Sequence, residues 1–344
     1  MTKVLLTGGS GFIAAHILQQ LLSQGHTVTT TVRSPQKALP IHQAHPEAIS
    51  QSRLHVLVVP DIAQPSAFDR VLEEAGRDLD VVLHTASPFH FSWTDAQTEL
   101  IDPALNGTRG ILLAVKKYAP QVRRVVITSS FAALMDEDRL EDGNHVFSET
   151  SWNPDGLGDI NRSKATAYRV SKTMAEQAAW AFIKDQNPTF DLVTICPPMV
   201  YGPVAHFLPS LDAINTSNGR LLPLLQGEWK AEIPGTGPVP IWVDVRDCAR
   251  AHVLAMDLPQ ASGQRLFTAA GRASNHDIAR IVREHFPEYA DRLPGPEVRG
   301  GEMPAPDQTF GFDNKKTVEI LGFEWTSIEK CVIDIVNSLK EHGL

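Results

Sequence analysis

Tyr168 and Lys172 stand four residues apart in Tyr168-Arg169-Val170-Ser171-Lys172, within a stretch whose apolar spacing of three and four predicts a helix over residues 165–183. On a helix that spacing projects the phenol and the ammonium from one face. A phenol beside a cation is equipped to pass a proton to a substrate oxygen. Its ordinary pKa is about 10, too high for efficient transfer at neutral pH. A cation about 4 Å away, at an effective dielectric of about 20, stabilises the phenolate by roughly 4 kcal/mol, or about three pKa units. The sequence therefore predicts a phenol lowered towards neutrality. Thr128-Ser129-Ser130 closes a predicted strand over Arg124–Thr128, at the carboxyl edge where an open α/β sheet places its ligand. Ser130 is expected to hold the substrate oxygen by a hydrogen bond, with Ser129 as the alternative.

A second constellation lies at the start of the chain, where residues 7–16 read Thr7-Gly8-Gly9-Ser10-Gly11-Phe12-Ile13-Ala14-Ala15-His16. A predicted strand, Lys3–Thr7, precedes it and a predicted helix, Phe12–Ser23, follows. Gly8 allows a tight turn, Gly11 admits a pyrophosphate to the backbone, and Ala14 permits close packing of helix on strand. The helix N-terminus at Phe12 and Ile13 then offers free N–H groups and a positive dipole end to phosphates. The second predicted strand, Thr27–Val32, ends without the Asp or Glu that an NAD site offers to the ribose hydroxyls. Arg33 and Lys37 follow instead, and a forked guanidinium with a point charge beside it suits a 2′-phosphate. Together these residues predict NADPH/NADP+ as cofactor. Tyr168 would protonate a carbonyl oxygen while the nicotinamide supplies hydride, and Lys172 would also serve the nicotinamide ribose.

These groups need a scaffold, and the chain reads as one. Short apolar runs at Lys3–Thr7, Thr27–Val32, 54–59, Val81–His84, Arg124–Thr128 and 192–196 alternate with helical periods at Phe12–Ser23, 67–75, 100–118 and 165–183. Nearly continuous Val, Leu and Ile in the strands indicates burial on both faces, hence an α/β doubly wound parallel sheet. After Pro197-Pro198 the pattern breaks. Residues 203–240 are rich in Pro and Gly with little periodicity, and strand-like runs return at 241–245 and 266–269, with a helix over 277–285. The expected division is a dinucleotide-binding domain over 1–198 and a smaller, interleaved substrate lobe over 199–344, with segments near 241–270 returning to the first domain.

Composition excludes several classes of partner. The 344 residues carry 42% apolar side chains, ample for a core, and a net charge of −9 with both signs scattered, so no basic stripe invites nucleic acid. Cys196, Cys248 and Cys331 are too widely spaced for a disulfide framework or zinc pairs, so no metal is expected and the thiols should be small buried residues. Thr7-Gly8-Gly9 interrupts the first apolar run too early for a signal peptide, and no run approaches the ~18 apolar residues of a membrane span. The expectation is a cytoplasmic protein acting on a small carbonyl compound, with no nucleic acid or membrane partner.

Beyond residues 7–16, Arg33 and Lys37, the chain carries Val59-Pro60-Asp61-Ile62, His84-Thr85-Ala86-Ser87-Pro88-Phe89, Ser151-Trp152-Asn153-Pro154, Tyr201-Gly202-Pro203, Val243-Asp244-Val245-Arg246-Asp247 and Asp313-Asn314-Lys315-Lys316. With these and the Tyr168–Lys172 pair it resembles the extended short-chain dehydrogenases/reductases nearly end to end, specifically the fungal NADPH-dependent methylglyoxal (isovaleraldehyde) reductases and dihydroflavonol-reductase-like carbonyl reductases. The resemblance implies a Rossmann domain and Ser130, Tyr168 and Lys172 as the catalytic set. It further implies that Asp61 and Ile62 line the adenine site, that Thr85, Ala86 and Ser87 pass under the nicotinamide half, and that Pro197 and Val200 flank the nicotinamide. By residue type alone Asp61 is equally an N-cap for the helix expected from residue 67. The substrate pocket is implied at Phe89, Phe131, Ala165 and Met199. Yeast-type methylglyoxal reductases align tyrosines at positions 131 and 199, so Phe131 and Met199 make this pocket more apolar and favour hydrophobic aldehydes and ketones. A homodimer is compatible with the resemblance.

Two other classes share these motifs. A nucleotide-sugar epimerase or dehydratase would need cations in the C-terminal lobe to hold a diphosphate, and residues 203–240 contain only Arg220 and Lys230. A non-catalytic dinucleotide-binding regulator would have no need of Tyr168 and Lys172.

Overall fold

The computed structural model describes residues 1–87, 92–205, 208 and 210–343. The apolar runs form strands at Lys3–Thr7, Thr27–Val32, Leu54–Val58, Val81–His84, Arg124–Thr128 and Asp191–Ile195. Successive side chains in a strand point to opposite faces, and both faces are covered here. Val4 and Leu6 enter one hydrophobic layer with Ile17, Leu18 and Leu21 of the Phe12–Ser23 helix. Leu5 enters the other, with Ile111 and Val115 of the Asp102–Tyr118 helix and Ala179 of the Lys164–Gln186 helix.

All seven strands of this sheet are parallel. From one edge the order is Leu54–Val58, Thr27–Val32, Lys3–Thr7, Val81–His84, Arg124–Thr128, Asp191–Ile195 and Arg265–Leu266. The winding direction reverses between Lys3–Thr7 and Val81–His84, which opens a crevice at their carboxyl ends. The glycine turn leaves one of those ends and Thr85-Ala86-Ser87 leaves the other. The fold is a Rossmann-like, doubly wound α/β sheet between helical layers.

From Met199 onward the chain passes between two cores. Met199–Tyr201, Ile241–Asp244 and Gly271–Arg272 form a three-stranded sheet. The Val245–Ala255 helix packs against Phe12–Ser23, and Arg265–Leu266 supplies the seventh strand of the main sheet. Helices Asn275–His285 and Ile328–Glu341 close a second core around Trp242, Ile278, Val282 and Ile335. Of the run expected as a strand over 266–269 only Leu266 pairs, together with Arg265 before it. Beyond them the backbone turns away, with Asn314 Nδ2 donating to Phe267 O and Ala269 O.

Among the described residues six helices lie outside the sequence-based expectation: Pro35–Ala44, Pro46–Ser50, Leu222–Gln226, Val245–Ala255, Lys315–Leu321 and Ile328–Glu341. Pro35–Ala44 buries only Ala38 and Ile41, too few apolar positions to establish a period. Its Pro35 suits the first helical turn, where an N–H has no partner. Lys315–Leu321 is short. Ile328–Glu341 is different, because Cys331, Val332, Ile335, Val336 and Leu339 form a plain three-and-four stripe that was legible. The three cysteines are free and buried, and no described helix is long and apolar enough to cross a membrane.

Candidate active site

The Lys164–Gln186 helix begins at Ser163, whose Oγ accepts from Thr166 N at 3.0 Å and supplies one of the partners that a helix start lacks. Arg169 points away from solvent into Asp155 at 3.1 Å and into Glu137, fixing the rotation of this helix. Two turns further on, Glu176 is 2% exposed. It accepts from Arg265 Nε at 2.6 Å, Ser129 Oγ at 2.6 Å and Thr194 Oγ1 at 2.8 Å, tying the helix to three neighbouring strands of the sheet. Burying that carboxylate is offset by the ion pair and the hydroxyl donors around it.

The same contacts separate the two serines. Ser129 gives its hydroxyl hydrogen to Glu176, whereas Ser130 Oγ accepts from Ala132 N at 3.1 Å and hydrogen-bonds the Tyr168 phenol. Ser130, Tyr168 and Lys172 line one cleft of about 500 Å³. Lys172 Nζ donates to Ser87 Oγ at 3.0 Å.

The electrostatics differ from the expectation. Burial pushes the Tyr168 phenol up to about 12, with the Ser130 hydrogen bond only partly opposing it. Burial also drives Lys172 down to about 8, against the pull of Glu176. The predicted lowering of the phenol towards neutrality therefore fails for the protein by itself. The simple Coulomb figure counted a cation at contact distance and left out the cost of an anion in a dry cleft. Lys172 is directed at Ser87, and it carries its own desolvation. A phenol held protonated is the form that donates a proton.

At the other end of the cleft, Gly8 has φ +75°, and a Cβ there would lie 3.1 Å from Ala86 Cα. Thr85 Oγ1 donates to Thr7 O at 2.5 Å, and Ala86 N donates to Thr7 Oγ1 at 3.1 Å, locking the two strand ends together. Gly11 is the N-cap of the Phe12–Ser23 helix and offers no side-chain cap, so the first N–H groups face the cleft mouth without one. Gly9, which the motif reading passed over, is as constrained: a Cβ would fall 2.1 Å from Thr30 Oγ1. That hydroxyl is buried and donates to Leu6 O at 2.8 Å. Gly9→Ala is expected to lose about 1–3 kcal/mol of stability by overpacking. Urea unfolding would show it, with Thr30→Ala in the same chain relieving most of the loss.

Lys37 borders a small hollow beside Gly9 and Ser10, and Arg33 is exposed at the end of the second strand. Among the described residues neither has an ion-pair partner. Asp61 does not cap the Asp69–Ala75 helix, whose N-cap is Phe68. Its carboxylate closes its own turn, Oδ1 accepting from Ala63 N at 2.9 Å and Oδ2 from Gln64 Nε2 at 2.8 Å. Ile62 packs on the helical layer against Gly107.

Pro197, Val200, Ala165, Met199 and Phe131 all line the cleft. Phe131 is also a core residue at 3% exposure, stacked at 5.3 Å on Phe267 and set edge-on at 5.4 Å to Phe147. The pocket and core readings of this side chain are therefore both part of its geometry. Phe89 lies outside the described residues. The sequence reading missed, among others, Met135, Val239, Arg220 and the run Asn215, Thr216 and Ser217 on the lining. Asn215 Nδ2 donates to Val200 O at 3.4 Å, while its buried Oδ1 has no hydrogen-bond partner among the described residues. That segment has no periodicity, so only a polar cluster could have signalled it.

Comparison with known proteins shows the family to which the chain belongs. A family model described as the NAD dependent epimerase/dehydratase family matches residues 4–270. This chain belongs to that family, the extended short-chain dehydrogenases/reductases. Ketoreductase azaE of Aspergillus niger is 44% identical over 350 residues, covering 99% of this chain and 98% of the relative. NADPH-dependent methylglyoxal reductase GRE2 of Saccharomyces cerevisiae is 35% identical over 342 residues, covering 98% of each chain. The crystal structure of yeast methylglyoxal/isovaleraldehyde reductase Gre2 complexed with NADPH superposes with a TM-score of 0.88 at 34% identity, covering 99% of each chain. Within this short-chain dehydrogenase/reductase, the crevice at the strand reversal carries the glycine turn and the Ser130–Tyr168–Lys172 set on its lining.

Proposed function

We propose that this protein is an NADPH-dependent carbonyl reductase in which Tyr168 is the proton donor, Ser130 holds the substrate oxygen and Lys172 supports the phenol and the nicotinamide ribose. The convergence of Ser130, Tyr168 and Lys172 on the cleft that begins at the glycine turn carries the reading. The cradle fits a dinucleotide: Gly8 takes a positive φ of +75° with a Cβ there crowding Ala86, and the Phe12–Ser23 helix has no side-chain cap. Arg33 and Lys37 would hold a 2′-phosphate, and Asp61, Ile62, Thr85, Ala86, Ser87, Pro197 and Val200 would border the rest. Bound NADPH would supply the hydride.

The chain's own residues handle the proton. The phenol, held up at about 12, is protonated across the physiological range. Ser130 presents a hydroxyl to the same oxygen and turns the phenol towards it. As the proton leaves, Tyr168 becomes anionic, and the Lys172 ammonium on the same helix face stabilises that charge. With Lys172 near 8 the cation is the form present below that pH. Reduction is expected to hold a plateau below pH ~8 and decline as one proton is lost above it. A Lys172→Arg variant, slower overall, should carry its plateau to higher pH, and a break left near 8 in that variant would remove Lys172 as its source.

Mixing protein, NADPH and a panel of aliphatic, aromatic and dicarbonyl compounds tests the function through the absorbance of the reduced cofactor. No turnover with any member would end the reading. The apolar lining from Phe131, Met135, Met199 and Val239 supports better specificity constants for hydrophobic aldehydes and ketones than for small hydrated dicarbonyls. The protein is expected to act in the cytoplasm.

A further inference from the structure

The cleft carries a polar run that carbonyl reduction does not use. Among the described residues no Asp or Glu lines the cleft, in a chain with 40 acidic and 31 basic residues. Three cations do: Arg169, Lys172 and Arg220. Arg169 is neutralised by Asp155 and Glu137, and Lys172 is engaged with Ser87 under the influence of Glu176. Arg220 has no carboxylate partner among the described residues. An arginine on a cleft wall free of acids is an anion site when its side chain is held in place.

It is held. The Asn218–Arg220 turn is clamped by Asn218, a fully buried side chain whose Nδ2 donates to Gly202 O at 2.7 Å and whose Oδ1 accepts from Gly202 N at 3.2 Å. The guanidinium hydrogen-bonds the phenol of Tyr201, itself buried in the second core. Thr216 and Ser217, from the same segment, add hydroxyls to the lining. The apolar side chains Phe131, Met135, Met199 and Val239 make up another part of the same lining.

We infer that Arg220, with the Thr216 and Ser217 hydroxyls, binds a carboxylate on the substrate, so that the protein selects oxo acids over neutral carbonyl compounds. The inference rests on the carbonyl-reductase reading: the carbonyl meets Ser130 and Tyr168, the methylenes lie along the apolar lining, and the acid group meets Arg220. A carboxylate suits a single fork-shaped donor, whereas a phosphate dianion would call for a second unpaired cation that the described lining lacks.

The test is a comparison within matched pairs. Laevulinate and longer straight-chain oxo acids, each beside its methyl ester, are reduced by the wild type and by Arg220→Gln and Arg220→Lys. The acid is expected to have the higher kcat/KM in the wild type, and the acid-to-ester ratio to fall about ten- to hundred-fold in Arg220→Gln and less in Arg220→Lys. Because the ratio is internal to each variant, a general loss of active protein does not alter it. Calorimetric titration of the NADP+-saturated protein with the same acids and esters reads the site without turnover. Arg220-dependent acid binding in a protein that reduces no carbonyl would uphold the site and reject the reductase reading. A wild-type ratio at or below unity, a ratio unchanged in Arg220→Gln, or inorganic phosphate binding more tightly than the acids at Arg220 would overturn the inference.

Discussion

Tyr168→Phe is expected to lower kcat for carbonyl reduction by about 10²–10⁴-fold, the usual contribution of a positioned general acid. Only the phenolic hydrogen-bonding group is removed, and the ring still packs with Ala96, Leu100 and Ala167. NADPH affinity, read by titrating cofactor fluorescence, should therefore stay nearly intact. Lys172→Ala should harm both steps, because the ammonium is proposed to serve the phenol and the ribose and because it is tied to Ser87. Substantial residual turnover in Tyr168→Phe would sink the proton-donor assignment, whatever the binding result.

The wild type should prefer NADPH over NADH, and Arg33→Asp should reverse much of that preference. Each charged hydrogen bond to phosphate contributes about 1.5–3 kcal/mol, so the single change should cost roughly ten- to hundred-fold in NADPH affinity. Adding Lys37→Ala should weaken NADPH binding further, by less than the product of the two single effects if both cations share one phosphate. The aspartate meanwhile offers the ribose hydroxyls of NADH the acceptor that the second strand lacks. Arg33 is exposed, so this substitution leaves the core untouched and unfolding should barely change. Equal use of the two cofactors by the unmodified protein would count against the site.

Local rules carry a long way in this chain. Strands buried on both faces are dominated by Val, Leu, Ile and β-branched Thr, so Lys3–Thr7, Thr27–Val32, Val81–His84 and Arg124–Thr128 were visible as short β-forming runs and end where expected. The glycine turn was legible because Gly8 answers a local backbone requirement, and the shared face of Tyr168 and Lys172 because helical geometry is local. Other features depend on groups far apart in sequence. Whether Ser129 or Ser130 faces the phenol is settled by Glu176, which draws Ser129 away from 47 residues further on. Gly9 matters because Thr30 of the neighbouring strand stands against it, which no motif records. The direction of the Tyr168 shift follows from burial, a sum over the whole environment that a pairwise estimate from spacing omits. The acid-free lining of the cleft's described residues is likewise a property of surfaces brought together: Arg220 gains its place from the Asn218 clamp on Gly202, and neither the clamp nor the balance of charges on that wall can be counted along the chain.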